Sequence, residues 1–164
     1  RTLNIPFLGL CYGMLLSVIE YAQNVLHLSG ANSTEIDPNT PHPVISLQRG
    51  RLSDEDLGGT LRLGLYDCEI KKGTKAYDAY KETLIKERHR HRYEFNNQYL
   101  EQFEDSKMII SGFNSEYQLV EMVELEDHPW FVAVQFHPEF LSRPLRPHPL
   151  FRDFIGATIK TKKS

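Results

Sequence analysis

Two short stretches, far apart in the chain, carry side chains whose types and spacing can do covalent chemistry. The first is Gly9-Leu10-Cys11-Tyr12-Gly13, which follows the run Ile5-Pro6-Phe7-Leu8 and precedes a helical pattern. A strand that stops, one residue held at a sharp turn and a helix that starts at once make a nucleophile elbow. Flanking glycines suit that turn because they lack the Cβ that would clash in it. A thiol there lies at a helix N-terminus, whose dipole favours the thiolate and is expected to lower the pKa from about 8.5. The plainer reading of Cys11 is a small buried apolar residue, since free cysteine is among the most buried residue types. The second stretch is Gln135-Phe136-His137-Pro138-Glu139, closing an apolar run. Residues two apart in extended backbone project to the same side, and Pro138 ends the ladder for want of an N–H. A carboxylate beside an imidazole fixes its tautomer and stabilises the imidazolium. Alone, the pair reads more readily as a structural hydrogen bond. Joined to the elbow, it gives a nucleophile (Cys11), a proton carrier (His137) and an orienting carboxylate (Glu139).

Elements must hold these groups together. Both stretches stand at strand C-terminal ends, where open α/β sheets place their sites. Leu15, Leu16, Ile19, Ala22, Val25 and Leu26 recur at helical spacing, predicting a helix over 13–27 that Ser29-Gly30 stops. Residues 31–43 have loop composition, 44–47 a short strand, and Asp54-Glu55-Asp56 a solvated acidic loop. Gly58-Gly59-Thr60 opens a strand over 61–70 in which Cys68 is structural, and 76–82 form a short helix. Residues 88–92, read by charge alone, are a solvated basic patch. A helix over 97–104 leads to strands at 107–113, 117–125 and 130–136. The last of these is continuously apolar until its end, as in a strand buried on both faces. A helix over 148–160 and a frayed tail, 160–164, complete the chain. The fold class is α/β: a largely parallel sheet flanked by helices, with an antiparallel strand section.

Composition narrows the partners. The 164 residues make one domain, and a net charge of −3 gives no reason to expect nucleic acid. No run of eighteen apolar residues and no signal pattern supports membrane insertion or secretion. Two cysteines form no disulfide framework, so a reducing, cytoplasmic setting is the default. The chain enters a buried strand almost at once, as a piece whose earlier strands lie elsewhere would.

Gly9-Leu10-Cys11-Tyr12-Gly13-Met14 and Gln135-Phe136-His137-Pro138-Glu139-Phe140 resemble the two signatures of class I (triad) glutamine amidotransferases. Ala31-Asn32-Ser33-Thr34-Glu35, Gly58-Gly59-Thr60-Leu61-Arg62-Leu63-Gly64 and Glu87-Arg88-His89-Arg90-His91-Arg92-Tyr93-Glu94 are similar to the glutaminase domain of the CTP synthase family. The resemblance implies a partial glutaminase domain over 1–159 and a class I amidotransferase fold. Cys11, His137 and Glu139 would then be the triad that cleaves L-glutamine through a cysteinyl thioester. The segment Tyr12, Gly13, Met14 and Leu15 would line the glutamine, the Tyr12 N–H completing part of an oxyanion hole. Glu35 and Arg92 would hold the α-amino and α-carboxylate groups, a task for one anion and one bidentate cation. The resemblance further implies a synthetase domain in the same polypeptide, where ATP and Mg²⁺ drive amination of UTP. GTP as an allosteric activator and a homotetramer are implied as well. No metal and no cofactor is expected in the glutaminase domain itself.

Two features depart from the pattern. Leu15 stands where the family usually has Gln, and a substrate amide left unpaired costs about 1–3 kcal/mol. Tyr12 replaces a usual leucine, of less consequence where only its N–H is used. The glycine-rich loop that completes the family's oxyanion hole precedes the elbow and falls before this chain's first residue. Two alternatives stand beside this reading: another triad glutaminase or γ-glutamyl hydrolase, and a non-catalytic regulatory domain that keeps the fold.

Overall fold

A computed structural model of the chain describes residues 1–47 and 61–162. The apolar run before the elbow is strand β1 (Phe7–Leu10), and helix α1 (Tyr12–Asn24) follows directly. A small sheet joins β2 (Asn32–Ser33), β3 (Pro43–Leu47) and β6 (Tyr93–Phe95). The larger sheet contains β1, β4 (Arg62–Ile70), β5 (Leu84–His91), β7 (Met108–Asn114), β8 (Leu119–Leu125) and β9 (Phe131–Val134). Its order is β1-β9-β8-β7-β4-β5. Helix α2 (Lys75–Tyr80) spans the β4–β5 connection, a 3₁₀ turn at Asn97–Tyr99 leads into α3 (Leu100–Glu104), and α4 (Pro149–Lys162) follows β9.

Strand β9, between β1 and β8, shows how the core is divided. Its side chains alternate across the sheet. Phe131 and Ala133 face a core shared with Met14, Val18 and Ala22 of α1. Val132 and Val134 face the other, with Cys68, Ala76 of α2 and Leu150 of α4. Helices therefore cover both faces, which is why this strand is apolar throughout and why the class is α/β.

Several details differ from the sequence reading. Among the described residues, β1 and β9 are the parallel pair of the larger sheet, and its other pairings are antiparallel. The parallel part is thus smaller than expected. Helix α1 ends at Asn24, where Val25 donates to the Tyr21 carbonyl and the chain turns at His27 with φ 56°. Leu16, placed on the apolar face by spacing, is exposed, and Tyr21 is buried in its stead. The loop 31–43 contains the two-residue strand β2, and residues 97–99 are 3₁₀ rather than α. Helix α4 continues through Lys162, beyond the expected start of the tail. The largest difference is β5: the charged stretch is no solvated patch but a strand, with Glu87, His89 and His91 buried and Arg88 and Arg90 exposed. The acidic loop at 54–56 and the opening glycines at 58–59 lie outside the described residues.

Candidate active site

The parallel pairing of β1 with β9 brings the two chemical stretches side by side. Leu10 is in register with Val134, and the next N–H, that of Cys11, donates to the Val134 carbonyl at 2.7 Å. One strand then delivers the thiol and its neighbour, three residues later, delivers the imidazole. Cys11 has φ 49° and ψ −102°, a conformation that costs a non-glycine residue of order 1–3 kcal/mol and recurs at active sites. Its carbonyl accepts from the Met14 N–H at 3.0 Å as α1 begins. The turn is tight enough that a Cβ on Gly9 would stand 2.9 Å from the Gly13 carbonyl carbon. A Cβ on Gly13 meets nothing within 4 Å, so the two glycines are not equivalent.

His137 Nδ1 lies 2.6 Å from Glu139 Oε1, short enough for a charge-assisted hydrogen bond. That contact commits Nδ1 to the carboxylate and leaves Nε2 to carry protons. The His137 backbone is itself fixed, its N–H donating to the Arg88 carbonyl at 2.8 Å. The Cys11 thiol approaches the Arg90 carbonyl, with Sγ at 3.9 Å. Two alternate residues of β5 thus reach the two halves of the site through their backbone.

The thiol's pKa runs against the sequence expectation. Burial pushes it above its ordinary value; the Tyr12 N–H opposes this, while the charge of Glu139 reinforces it. Gln135 again pulls it down and the Glu35 charge pushes it up. The helix N-terminus does act on Cys11, but desolvation outweighs it. The resting group is a thiol, and the thiolate must be made by transfer of its proton.

A cleft of about 330 Å³ opens at Cys11, lined also by Tyr12, Leu15, Glu35, Arg90, His91 and Arg92. Arg92 reaches it because the chain crosses there from β5 in one sheet to β6 in the other. Glu35 stands in the turn after β2, its N–H donating to Ser33 Oγ at 3.1 Å. An anionic and a cationic side chain thus share one cavity with the thiol. Within the 12–15 segment, Tyr12 and Leu15 line the cleft. Met14 is fully buried in the core beneath α1, and Gly13 has only backbone to offer. Sequence reasoning missed Arg90 and His91 as cleft residues. The alternation of 84–91 was the available signal, hidden because the buried positions after Ile85 are Glu and His rather than apolar.

Among the described residues, no group of three or more His, Cys, Asp and Glu side chains is arranged to hold a metal ion. Nor is any described helix long and apolar enough to cross a membrane. Both cysteines are free, Cys68 buried in β4.

The profile of the family described as "Glutamine amidotransferase class-I" matches residues 1–157. The CTP synthase of Caldanaerobacter subterraneus subsp. tengcongensis is 59% identical over 162 residues, 99% of this chain and 30% of that protein. The CTP synthase of Bacillus subtilis is 58% identical over 160 residues, covering 98% and 30%. The chain therefore spans about 30% of the length of these relatives. Among solved structures, the glutaminase domain of Trypanosoma brucei CTPS with bound acivicin superposes with a TM-score of 0.91. That match has 37% identity and covers 98% of this chain and 62% of that one.

Proposed function

The chain belongs to the class I glutamine amidotransferase family, and we propose that it is the part of a CTP synthase that hydrolyses L-glutamine and supplies the ammonia for amination of UTP. The observation that carries this reading is the cleft. A strained cysteine opens on a cavity bordered by Glu35 and Arg92, opposite charges suited to the ammonium and carboxylate of a free amino acid. The identity with CTP synthases over nearly the whole chain supports the choice of parent enzyme.

The chemistry follows from the residues. Glutamine enters with its α-carboxylate on Arg92 and its α-amino group on Glu35, so that the side-chain amide reaches Cys11. His137 Nε2 takes the thiol proton as Sγ attacks the amide carbon, and the Tyr12 N–H stabilises the oxyanion. Glu139 stabilises the imidazolium through the Nδ1 contact. His137 then protonates the departing nitrogen, releasing ammonia and leaving a γ-glutamyl thioester. Water, activated by the same imidazole, cleaves the thioester to glutamate and restores the thiol. Raising the thiol's pKa by burial keeps the nucleophile protonated until this base acts on it.

In the same reading, the synthetase domain lies outside this chain in the same polypeptide, which assembles as a tetramer in the cytoplasm. ATP and Mg²⁺ act in that domain, and GTP activates the whole. The described residues of this chain do not fit a metal. The deciding experiment is mass spectrometry after incubation with a glutamine-mimicking chloroketone, with Cys11→Ala as control. A single adduct on Cys11, blocked by excess glutamine, is the expected result. No adduct on folded protein counts against a working glutamine site. UTP-dependent consumption of glutamine in the intact enzyme then separates a CTP synthase from another glutaminase.

A further inference from the structure

Among the described residues, strand β5 is at the edge of the larger sheet and bonded there to β4. Yet its backbone touches both halves of the site: the Arg88 carbonyl accepts from His137 N–H, and the Arg90 carbonyl faces Cys11 Sγ. A strand held by one ladder can slide or tilt, so what grips it from the inside sets the spacing of thiol and imidazole. The inward side chains are polar. Glu87 Oε1 accepts from Tyr80 Oη at 2.7 Å and lies 2.7 Å from His148 Nε2, tying the strand to α2 and to the start of α4. His89 Nδ1 and His91 Nε2 are 2.8 Å apart, one ring donating to the other. His89 Nε2 stands 3.5 Å from Glu121 of β8, and His91 Nδ1 3.6 Å from Glu94 of β6. Arg62 of β4 closes the cluster at 2.6 Å from Glu121 Oε1. The His89 ring also meets Phe136, the residue before His137, with centroids 5.7 Å apart.

We propose that His89 and His91 act as a buried, hydrogen-bonded pair of positioning residues that hold β5 so that its Arg88 and Arg90 carbonyls fix His137 relative to Cys11. The claim rests on the glutaminase reading above. At least one ring must be neutral, because two imidazolium rings have no acceptor between them and could only repel at this distance. Burial, and then the Arg62 charge, hold His89 down to about 2 and His91 down to about 3, so both stay neutral at working pH. His89 is 1% exposed and does not border the cleft, so its effect must pass through the strand. Misplacement of reacting groups by about 1 Å can cost ~10²-fold in rate.

The test is made in the intact polypeptide that carries this chain, with Cys11 titrated so that rates are per active site. His89→Leu is expected to lower glutaminase kcat ~10–100-fold with KM within about threefold, and to shift the pH dependence of Cys11 alkylation by iodoacetamide. His89→Asn, whose amide falls where Nδ1 meets His91 Nε2, is expected to recover most of kcat. His89→Gln, whose amide lies one carbon further out, at the Nε2 position, is not. A purely structural role lowers the unfolding midpoint while leaving kcat per titrated thiol and the alkylation profile unchanged, and that result overturns the proposal. Should His89→Leu fail to fold, the Asn and Gln variants decide it alone, since equal and wild-type kcat in both overturns the proposal equally. Absence of glutamine hydrolysis by the unaltered enzyme would instead defeat the glutaminase reading itself.

Discussion

At the scale of single residues, the elbow makes a contrast that can be measured. An added methyl at Gly9 must displace the Gly13 backbone or the Phe7 ring, both 2.9 Å away. Overpacking of this kind costs about 1–3 kcal/mol, so Gly9→Ala should lower the urea midpoint and weaken chloroketone labelling of Cys11. Gly13→Ala lies in a helix with open space around its Cβ and should keep or raise stability, by up to ~1 kcal/mol from helix propensity. A second contrast concerns Leu15, which borders the cleft where the family's pattern has glutamine. Leu15→Gln restores an amide partner worth about 1–3 kcal/mol, so the KM for glutamine should fall by roughly tenfold with kcat little changed. An unchanged KM would mean that Leu15's position makes no polar contact in the complex. Cys11 and His137 could be singled out as a candidate nucleophile and base from chemistry and spacing alone, because few residue types can do that work. Glu35 and Arg92 could not: in sequence they are ordinary surface charges, and only the resemblance singled them out. The direction of the thiol's shift was missed for a physical reason. The dipole of α1 can be read from the sequence, but the burial that outweighs it belongs to the assembled fold.

At the scale of elements, β5 gives the clearest lesson and a pH prediction. Its alternation is as regular as any amphipathic strand, yet after Ile85 the buried letters are Glu87, His89 and His91. A hydropathy scan prices such residues as solvated, so period two went unseen behind the charges. Only their partners make this burial tolerable: Tyr80 of α2 and His148 for Glu87, and side chains of β4, β6 and β8 for the histidines. Those partners also set an acid response. His89 and His91 titrate near 6.5 when unfolded and at about 2 and about 3 when folded, so unfolding takes up protons below pH 6.5. The folded state therefore loses stability as pH falls through that window. Glu121 has the opposite sign: burial raises it to about 7, so between its unfolded value and 7 it favours folding at the lower pH. Two histidines against one carboxyl leave a net loss on acidification, steepening once Glu121 is protonated in both states. Urea titrations of His89→Gln across this range should lack one of these protons. Its stability should fall less steeply than the wild type's, by ~1.4 kcal/mol per pH unit well below 6.5. Parallel pH profiles for the two proteins would show that His89 is not held neutral.

At the scale of the whole molecule, the strands themselves were largely readable but their order was not. Local patterns locate β1, β4, β7, β8 and β9 to within a few residues. Which strand lies beside which is a non-local choice, decided by how the two cores fill on either side of β9. That choice makes the sheet mostly antiparallel, yet it keeps β1 and β9 parallel, and their shared end is where the chemistry sits. The consequence is a coupling between site and core. Trp130, the chain's one tryptophan, is buried at the entry to β9, and its carbonyl accepts from the Phe7 N–H of β1 at 2.8 Å. Its emission reports the same strand pair whose far end shapes the elbow. Urea unfolding followed by Trp130 fluorescence and by loss of chloroketone labelling at Cys11 should share one midpoint, as in a two-state unit. Saturating glutamine, which itself blocks the labelling, should raise the fluorescence midpoint, since ligand that binds the folded state stabilises the whole of it. Labelling lost at lower urea than fluorescence would instead show that the elbow melts before the strands that present it, and that β1 is held by something other than β9.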